Sequence, residues 1–190
     1  MKRSPLKATK PRKRKCQGCG ETFQPDRMGQ KACSPKCAVQ KVRTDKKREQ
    51  KRETRKAKER LKTRSEWAKE AQTAFNAWVR ERDYGEPCIS CQRHHGGQYH
   101  AGHYRTVGAC PELRFEPLNC HRQCAPCNDH LSGNIVEYRI NLVKKIGEEK
   151  VAWLEGPHEP KKYTVEELQA IKREYSRMAR ELRKKREGLQ

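Results

Sequence analysis

Apolar side chains are scarce and unevenly spread along this chain, and their spacing predicts where its elements lie. Residues 38–63 are almost all Lys, Arg, Glu, Gln and Thr, with Val39, Val42 and Leu61 as the only sizeable apolar side chains. No Gly or Pro interrupts the run and its residue types favour helix. Fully helical, it would span about 39 Å at 1.5 Å per residue. With no apolar stripe to bury, it reads as a solvated helix or a partly frayed linker, serving as a spacer or as a track for phosphates. From Ser65 to Arg82 the pattern changes, and Trp67, Ala71, Ala74, Phe75, Trp78 and Val79 recur at helical spacing. That aromatic face is expected to pack on the domain that follows rather than to stack on bases. The sequence Asp83-Tyr84-Gly85-Glu86-Pro87 ends the helix.

Further on, Ile135, Tyr138, Ile140, Leu142 and Val143 predict a helix that stops near Gly147. Val151, Trp153 and Leu154 belong to a short helical piece closed by Gly156-Pro157. Thr164 with Glu167 three residues later forms a capping-box signature. It heads a helix with Leu168, Ile171, Tyr175, Met178 and Leu182 on one face, before the basic tail 183–186. Between the helices, Gln98 to Ala101 is expected to form a short strand after the Gly96-Gly97 turn, with Leu113-Arg114-Phe115 as its antiparallel partner. Pro126 suits the first position of a helix carrying Cys127, Asn128 and Leu131. No solenoid-type repeat is present.

Charge narrows the choice of partner. Of 190 residues, 45 are Lys or Arg and 24 are Asp or Glu, a formal excess of +21. Such an excess favours a polyanion, because each neutralised phosphate releases condensed counterions. A membrane is a poorer fit, since no apolar run approaches the roughly 18 residues of a spanning helix and the basic segments lack an apolar face. Residues 1–15 read as a basic arm that stays disordered until it meets a partner. They begin with positive charge but no apolar stretch follows, so the chain is expected to stay in a reducing cytoplasm. There its ten cysteines are better read as metal ligands than as disulfides.

The cysteine spacing supports that reading. Cys16 and Cys19, then thirteen residues, then Cys33 and Cys37 have the form of a four-thiolate zinc site. Gly18 and Gly20 allow the tight knuckle, Phe23 can shield the metal, and metal binding would supply most of the folding energy of residues 16–37. Such a zinc ribbon could bind DNA, bind protein or cap the chain. Cys88 and Cys91, then thirty-two residues, then Cys124 and Cys127 form a second set, which staples a strand–strand–helix unit at its base. Cys110 and Cys120 fall outside both sets and are treated as ordinary small residues or free thiols, either of which could substitute as a ligand.

The stretches CISCQR, AGHYRT and LRFEPLNCHRQCAPCNDHLSGN resemble the NinG (Rap) recombination proteins of lambdoid phages. So do the neighbouring FNAWVRERD, VEYRINLVKKIG and LQAIKREYSRMARELR, so the likeness runs closely over residues from about 64 to 186. This family is described as a structure-specific endonuclease of Holliday junctions and D-loops, related to HNH nucleases with a zinc-stapled ββα-metal core. The resemblance implies a small zinc-stabilised α+β protein. Its parts would be an N-terminal zinc ribbon (16–37), a charged helical linker (38–63), an HNH-like core with flanking helices (64–156) and a C-terminal amphipathic helix with a basic tail (157–190).

Phosphodiester hydrolysis needs a deprotonated water and a stabilised leaving oxygen, and that requirement assigns roles within the resemblance. His103 is the choice for general base. Asn119 would brace the loop that bears it. Asn128 and His100 would ligate a catalytic divalent ion, Mg²⁺ or Mn²⁺. Where this chain has His100 the family commonly has Asp; His also suits softer transition metals, which leaves the identity of the ion open. His121 could bind the ion, contact the scissile phosphate or support the zinc knuckle. His94, His95 and His130 are read as surface or packing histidines. Arg105, Arg114 and, more weakly, Arg122 are candidate phosphate contacts. Two rivals to the nuclease are a non-catalytic zinc protein that binds DNA and recruits phage or host recombination factors, and a protein–protein adaptor. A homodimer would suit symmetrical cutting of a four-way junction.

Overall fold

Lys62 and Thr63 mark a division: residues 1–62 and 63–190 form two compact units. The computed structural model describes residues 12–188, so the expected arm at residues 1–11 lies outside the described residues. In the first unit the arm's last residues are ordered, because Arg14–Lys15 (β1) pairs antiparallel with Thr22–Phe23 (β2). Helix α1 covers Pro35–Leu61, starting three residues earlier than the sequence run suggests. Its start is set by Ser34, whose hydroxyl accepts from the amide of Cys37, and by Pro35 in the first turn. None of its residues is buried.

The second unit is built around two hydrophobic clusters. Thr63 caps helix α2 (Arg64–Arg82) with a full capping box to Glu66. The box at Thr164 and Glu167 opens helix α5 (Val165–Glu187) in the same way; each cap contributes on the order of 1 kcal/mol. The two helices pack along one another. Trp67, Ala71, Phe75, Trp78 and Val79 of α2 form one cluster with Leu168 and Ala179 of α5, Phe115 and Cys120. Phe75 lies at its centre, edge-on to Phe115 and Tyr175 with ring centroids 5.9 and 4.9 Å away. The aromatic face therefore packs, as its spacing predicts, and α5 belongs to the core rather than to a separate C-terminal segment. Its basic tail is partly tied down, since Arg183 and Arg186 both reach Glu81.

The sheet corrects the expected strand pairing. Tyr99–His103 (β3) pairs antiparallel with Cys120–Cys124 (β4), with His103 opposite Cys120 and Tyr99 opposite Cys124. Leu113 sits instead in a 3-10 turn, Pro111–Leu113, and Gln98 precedes the strand. The reason is long-range: pairing β3 with β4 places Cys124 beside Cys88, which the sequence 113–115 would not. Beyond β4 the expected helix is a single π-helical turn, Pro126–His130. Helices α3 (Ile135–Ile146) and α4 (Glu148–Glu155) follow, with a break at Gly147. Their apolar faces, carrying Tyr138, Leu142, Val151 and Leu154, join Ile89, Tyr104, Cys110 and Leu113 in the second cluster. The order strand, strand, helical turn is thus present, closed at one end by the second cysteine set.

Candidate metal centre and nucleic-acid site

Four thiols converge in each unit: Cys16, Cys19, Cys33 and Cys37 in the first, Cys88, Cys91, Cys124 and Cys127 in the second, all Sγ atoms of a set within 4.8 Å of one another. A tetrahedral zinc at about 2.3 Å from each sulfur requires Sγ–Sγ edges of about 3.8 Å. The observed Cys19–Cys33, Cys33–Cys37 and Cys91–Cys124 separations are 3.7, 3.6 and 3.9 Å. Backbone amides support the thiolate form: Gly18 and Cys33 donate to Cys16 Sγ, and Cys124 donates to Cys88 Sγ. Hydrogen bonds from the Cys19 and Cys33 amides bring the Cys16 thiol down to about 6. Both sets could therefore bind zinc, with one sulfur in each, Cys16 and Cys88, already favoured as thiolate by backbone amides. Gly18 is required by contact, since a Cβ there would lie 2.7 Å from the Cys37 carbonyl oxygen. Phe23 is half-buried in β2. Cys110 and Cys120 are outside both sets and buried in the two clusters.

Beside the second set, the turn after Cys127 brings polar groups together. His100 Nε2 lies 3.3 Å from Asp129 Oδ2. Asn128 Nδ2 donates to the other oxygen of Asp129 at 2.5 Å. All three side chains are at least partly exposed, the two turn residues following directly on Cys127. Asp129 was not singled out by sequence reasoning, though it is an acid one place beyond a motif Asn, a signal that could have found it.

Asn119 is fully buried and makes three side-chain bonds. Its Oδ1 accepts from the Arg105 amide at 2.7 Å, and its Nδ2 donates to the carbonyls of Arg105 and Leu113 at 3.0 and 3.1 Å. It closes the loop that follows β3. His103, by contrast, lies on the opposite sheet face from His100, beside Phe75 at a ring distance of 6.1 Å. Its Nε2 is 3.0 Å from the Arg114 carbonyl, which can only accept, so Nε2 carries the proton. That leaves Nδ1 as the lone pair, and it faces the buried thiol of Cys120 at 3.6 Å. Burial, aided by the Arg114 charge, holds the ring below its ordinary value, so it is neutral at physiological pH. Both nitrogens are engaged, and reaching a water at the His100 cluster would require the end of β3 to turn over, not the ring alone.

His121 also faces inward. It is 3% exposed. Tyr138 Oη donates to the Gly102 carbonyl at 2.9 Å, so the 3.3 Å contact with His121 must run from Nδ1–H to the tyrosine oxygen. Burial and the nearby Arg82 charge push this ring down to about 3. In this conformation it fastens β4 to α3 and touches no solvent-borne phosphate. Arg105 Nε points to Cys110 Sγ and Arg114 Nε to Gln72 Oε1, so both expected phosphate contacts have protein partners. Arg122 lies flat on Tyr99, 3.7 Å from its ring centroid. His95 is near the second set, its Nε2 3.3 Å from Cys91 Sγ; His94 and His130 are exposed.

A sequence model described as "Bacteriophage Lambda NinG protein" matches residues 8–187. This chain belongs to the NinG family. Among its relatives, "Protein ninG" of Escherichia phage lambda is 43% identical over 198 aligned residues, covering 93% of this chain and 97% of the relative. The protein of the same name from Salmonella phage P22 is 42% identical over 192, covering 90% and 94%. No solved structure matches the chain. Among the described residues no helix is long and apolar enough to cross a membrane.

Proposed function

We propose that this NinG-family chain is an HNH-like, divalent-metal-dependent endonuclease that cuts branched DNA, four-way junctions and D-loops, during phage recombination in the host cytoplasm. The observation that carries the reading is the His100–Asp129–Asn128 cluster on a thiolate-clamped knuckle. An imidazole, a carboxylate and an amide oxygen within one exposed patch suit Mg²⁺ or Mn²⁺, and Asp129 supplies the hard oxygen that His100 does not. An ion held there would polarise a phosphoryl oxygen and acidify a bound water. Asn119 keeps the loop after β3 closed over the hairpin, and His103, neutral and on the same strand, serves as the base only when the end of β3 turns over and carries its ring to the His100 face.

A second reading is favoured by His103 itself. With both nitrogens engaged, the chain would be a non-catalytic zinc protein that binds DNA and recruits recombination factors. Cleavage of a labelled synthetic four-way junction in Mg²⁺ or Mn²⁺ separates the two. The nuclease reading expects wild-type protein with both cysteine sets zinc-loaded to cut, and His100→Ala, Asp129→Ala and His103→Ala each to stop cutting while leaving junction affinity within a few-fold. If the loaded wild type binds the junction and cuts in neither metal, the enzyme reading fails and the binding protein stands.

A further inference from the structure

One basic cleft lies outside the cluster just described, at the edge of β4. It encloses about 290 Å³ between the loop after α2, the Cys88–Cys91 knuckle and the end of α3, and Glu86, Gln92, Arg122, Asn141, Lys144 and Lys145 line it. Three cations from two elements meet one acid, Glu86, which pairs with Lys145. The carbonyl end of α3 adds a partial negative charge of about half a unit, and it falls short of the net two positive charges of the side chains.

These cations are held in place. The Arg122 guanidinium lies 3.7 Å from the ring centroid of Tyr99 and 5.7 Å from that of Tyr84, and its Nη1 donates to the Asp83 carbonyl at 3.3 Å. Stacking fixes the plane of the fork and leaves its other edge for a planar or tetrahedral oxyanion. Lys144 Nζ reaches Asn141 Oδ1 at 3.4 Å, and the buried Asn141 is anchored by the Ser90 and Glu137 carbonyls. A last-turn Lys pair alone is explained by the helix dipole. A stacked arginine facing that pair across a cavity is not.

We infer that this cleft binds a backbone phosphate of the DNA, through Arg122, Lys144 and Lys145, with Gln92 at its rim. The inference rests on the DNA-binding half of the proposed function and is independent of cleavage. Fixed cations beside the hairpin would hold one strand in register while the knuckle cluster faces another part of the backbone.

The test uses the full chain with both cysteine sets zinc-loaded, in buffer free of Mg²⁺ and Mn²⁺ so that nothing is cut. Anisotropy of a fluorescent four-way junction is followed across a salt series. Lys144→Ala/Lys145→Ala is expected to weaken binding about tenfold and to lower the log–log salt slope by about 1, at roughly 0.9 per phosphate lost. Lys150→Ala/Lys162→Ala removes the same charge from exposed sites elsewhere and is expected to change affinity less than about twofold. Glu86→Gln frees Lys145 and is expected to tighten binding two- to threefold, a gain that misfolding cannot produce. Equal losses in the two double variants, or weaker binding by Glu86→Gln, overturn the inference. So does loss of inorganic phosphate binding, followed by NMR, in the cleft variant with DNA affinity unchanged, which would make the cleft a free-phosphate site. A protein that never cuts but shows the expected binding losses sinks the enzyme reading alone.

Discussion

Asp83→Asn is expected to cost more than any surface change in this chain. The residue is 2% exposed and ends α2. Its two carboxylate oxygens take Arg82 Nε and Nη2 at 2.6 and 2.8 Å, and Oδ2 also accepts the Arg122 amide at 3.0 Å. Burial pushes the carboxyl up, but the hydrogen bonds and charge of Arg82 outweigh it and hold it below the usual carboxylate range. Removing one partner of a buried pair typically costs 3–5 kcal/mol, because the other charge stays behind unpaired. Here the Arg82 side chain is 24% exposed and keeps the carbonyls of Pro117 and Cys120, so about 2–3 kcal/mol is expected. With a urea slope of about 2 kcal/mol per M, the midpoint falls by about 1 M or slightly more. The assay is urea unfolding of zinc-loaded wild type and variant followed by tryptophan fluorescence. Because the folded carboxyl titrates below its unfolded value of about 3.9, the pair's contribution is complete above that pH and is lost as pH falls through the depressed value. The difference between the proteins should thus be constant from pH 8 to 5. A cost below about 1 kcal/mol, or one that grows between pH 5 and 8, would refute the reasoning.

Three further outcomes follow from the geometry. Asn119→Ala leaves the Arg105 amide and two carbonyls without their side-chain partner and is expected to cost about 2–4 kcal/mol in the same urea assay; a cost near zero would mean that the loop after β3 does not depend on it. His121, with a folded value of about 3 against about 6.5 when unfolded, gives stability that is full above pH 6.5 and is lost as pH falls toward 3. Its ring should show no titration by NMR from pH 8 to 5, and a midpoint above 5 would contradict the buried setting. Metal analysis should return two zinc ions per chain, falling to one in Cys33→Ser/Cys37→Ser and to one in Cys124→Ser/Cys127→Ser; two ions in either variant would show that the thiols are not the ligands.

Much of this protein is local information. Helical spacing located α2 to α5, because an amphipathic period of 3.6 residues and a Thr-x-x-Glu cap are written within a few turns of chain. The two cysteine sets are likewise set by spacing, since close pairs can only clamp one ion edge at a time. Strand pairing is different. Leu113–Phe115 and Cys120–Cys124 are comparable candidates for β3 until the closure of Cys88 with Cys124 chooses between them, and that closure spans thirty-six positions. The same pairing decides which way each histidine faces. A register shift of one residue would exchange the His100 and His103 faces, so no motif could state that His103 lies against Phe75 and Cys120, or that His121 is sealed by Tyr138. Asp129 gained its partner His100 only when β3 met the turn after Cys127, and Arg122 its cleft only when β4, the Cys88–Cys91 knuckle and α3 were brought together. Residue type and spacing determined the elements and the thiolate sets; contacts between distant segments decided which polar groups meet and which are buried.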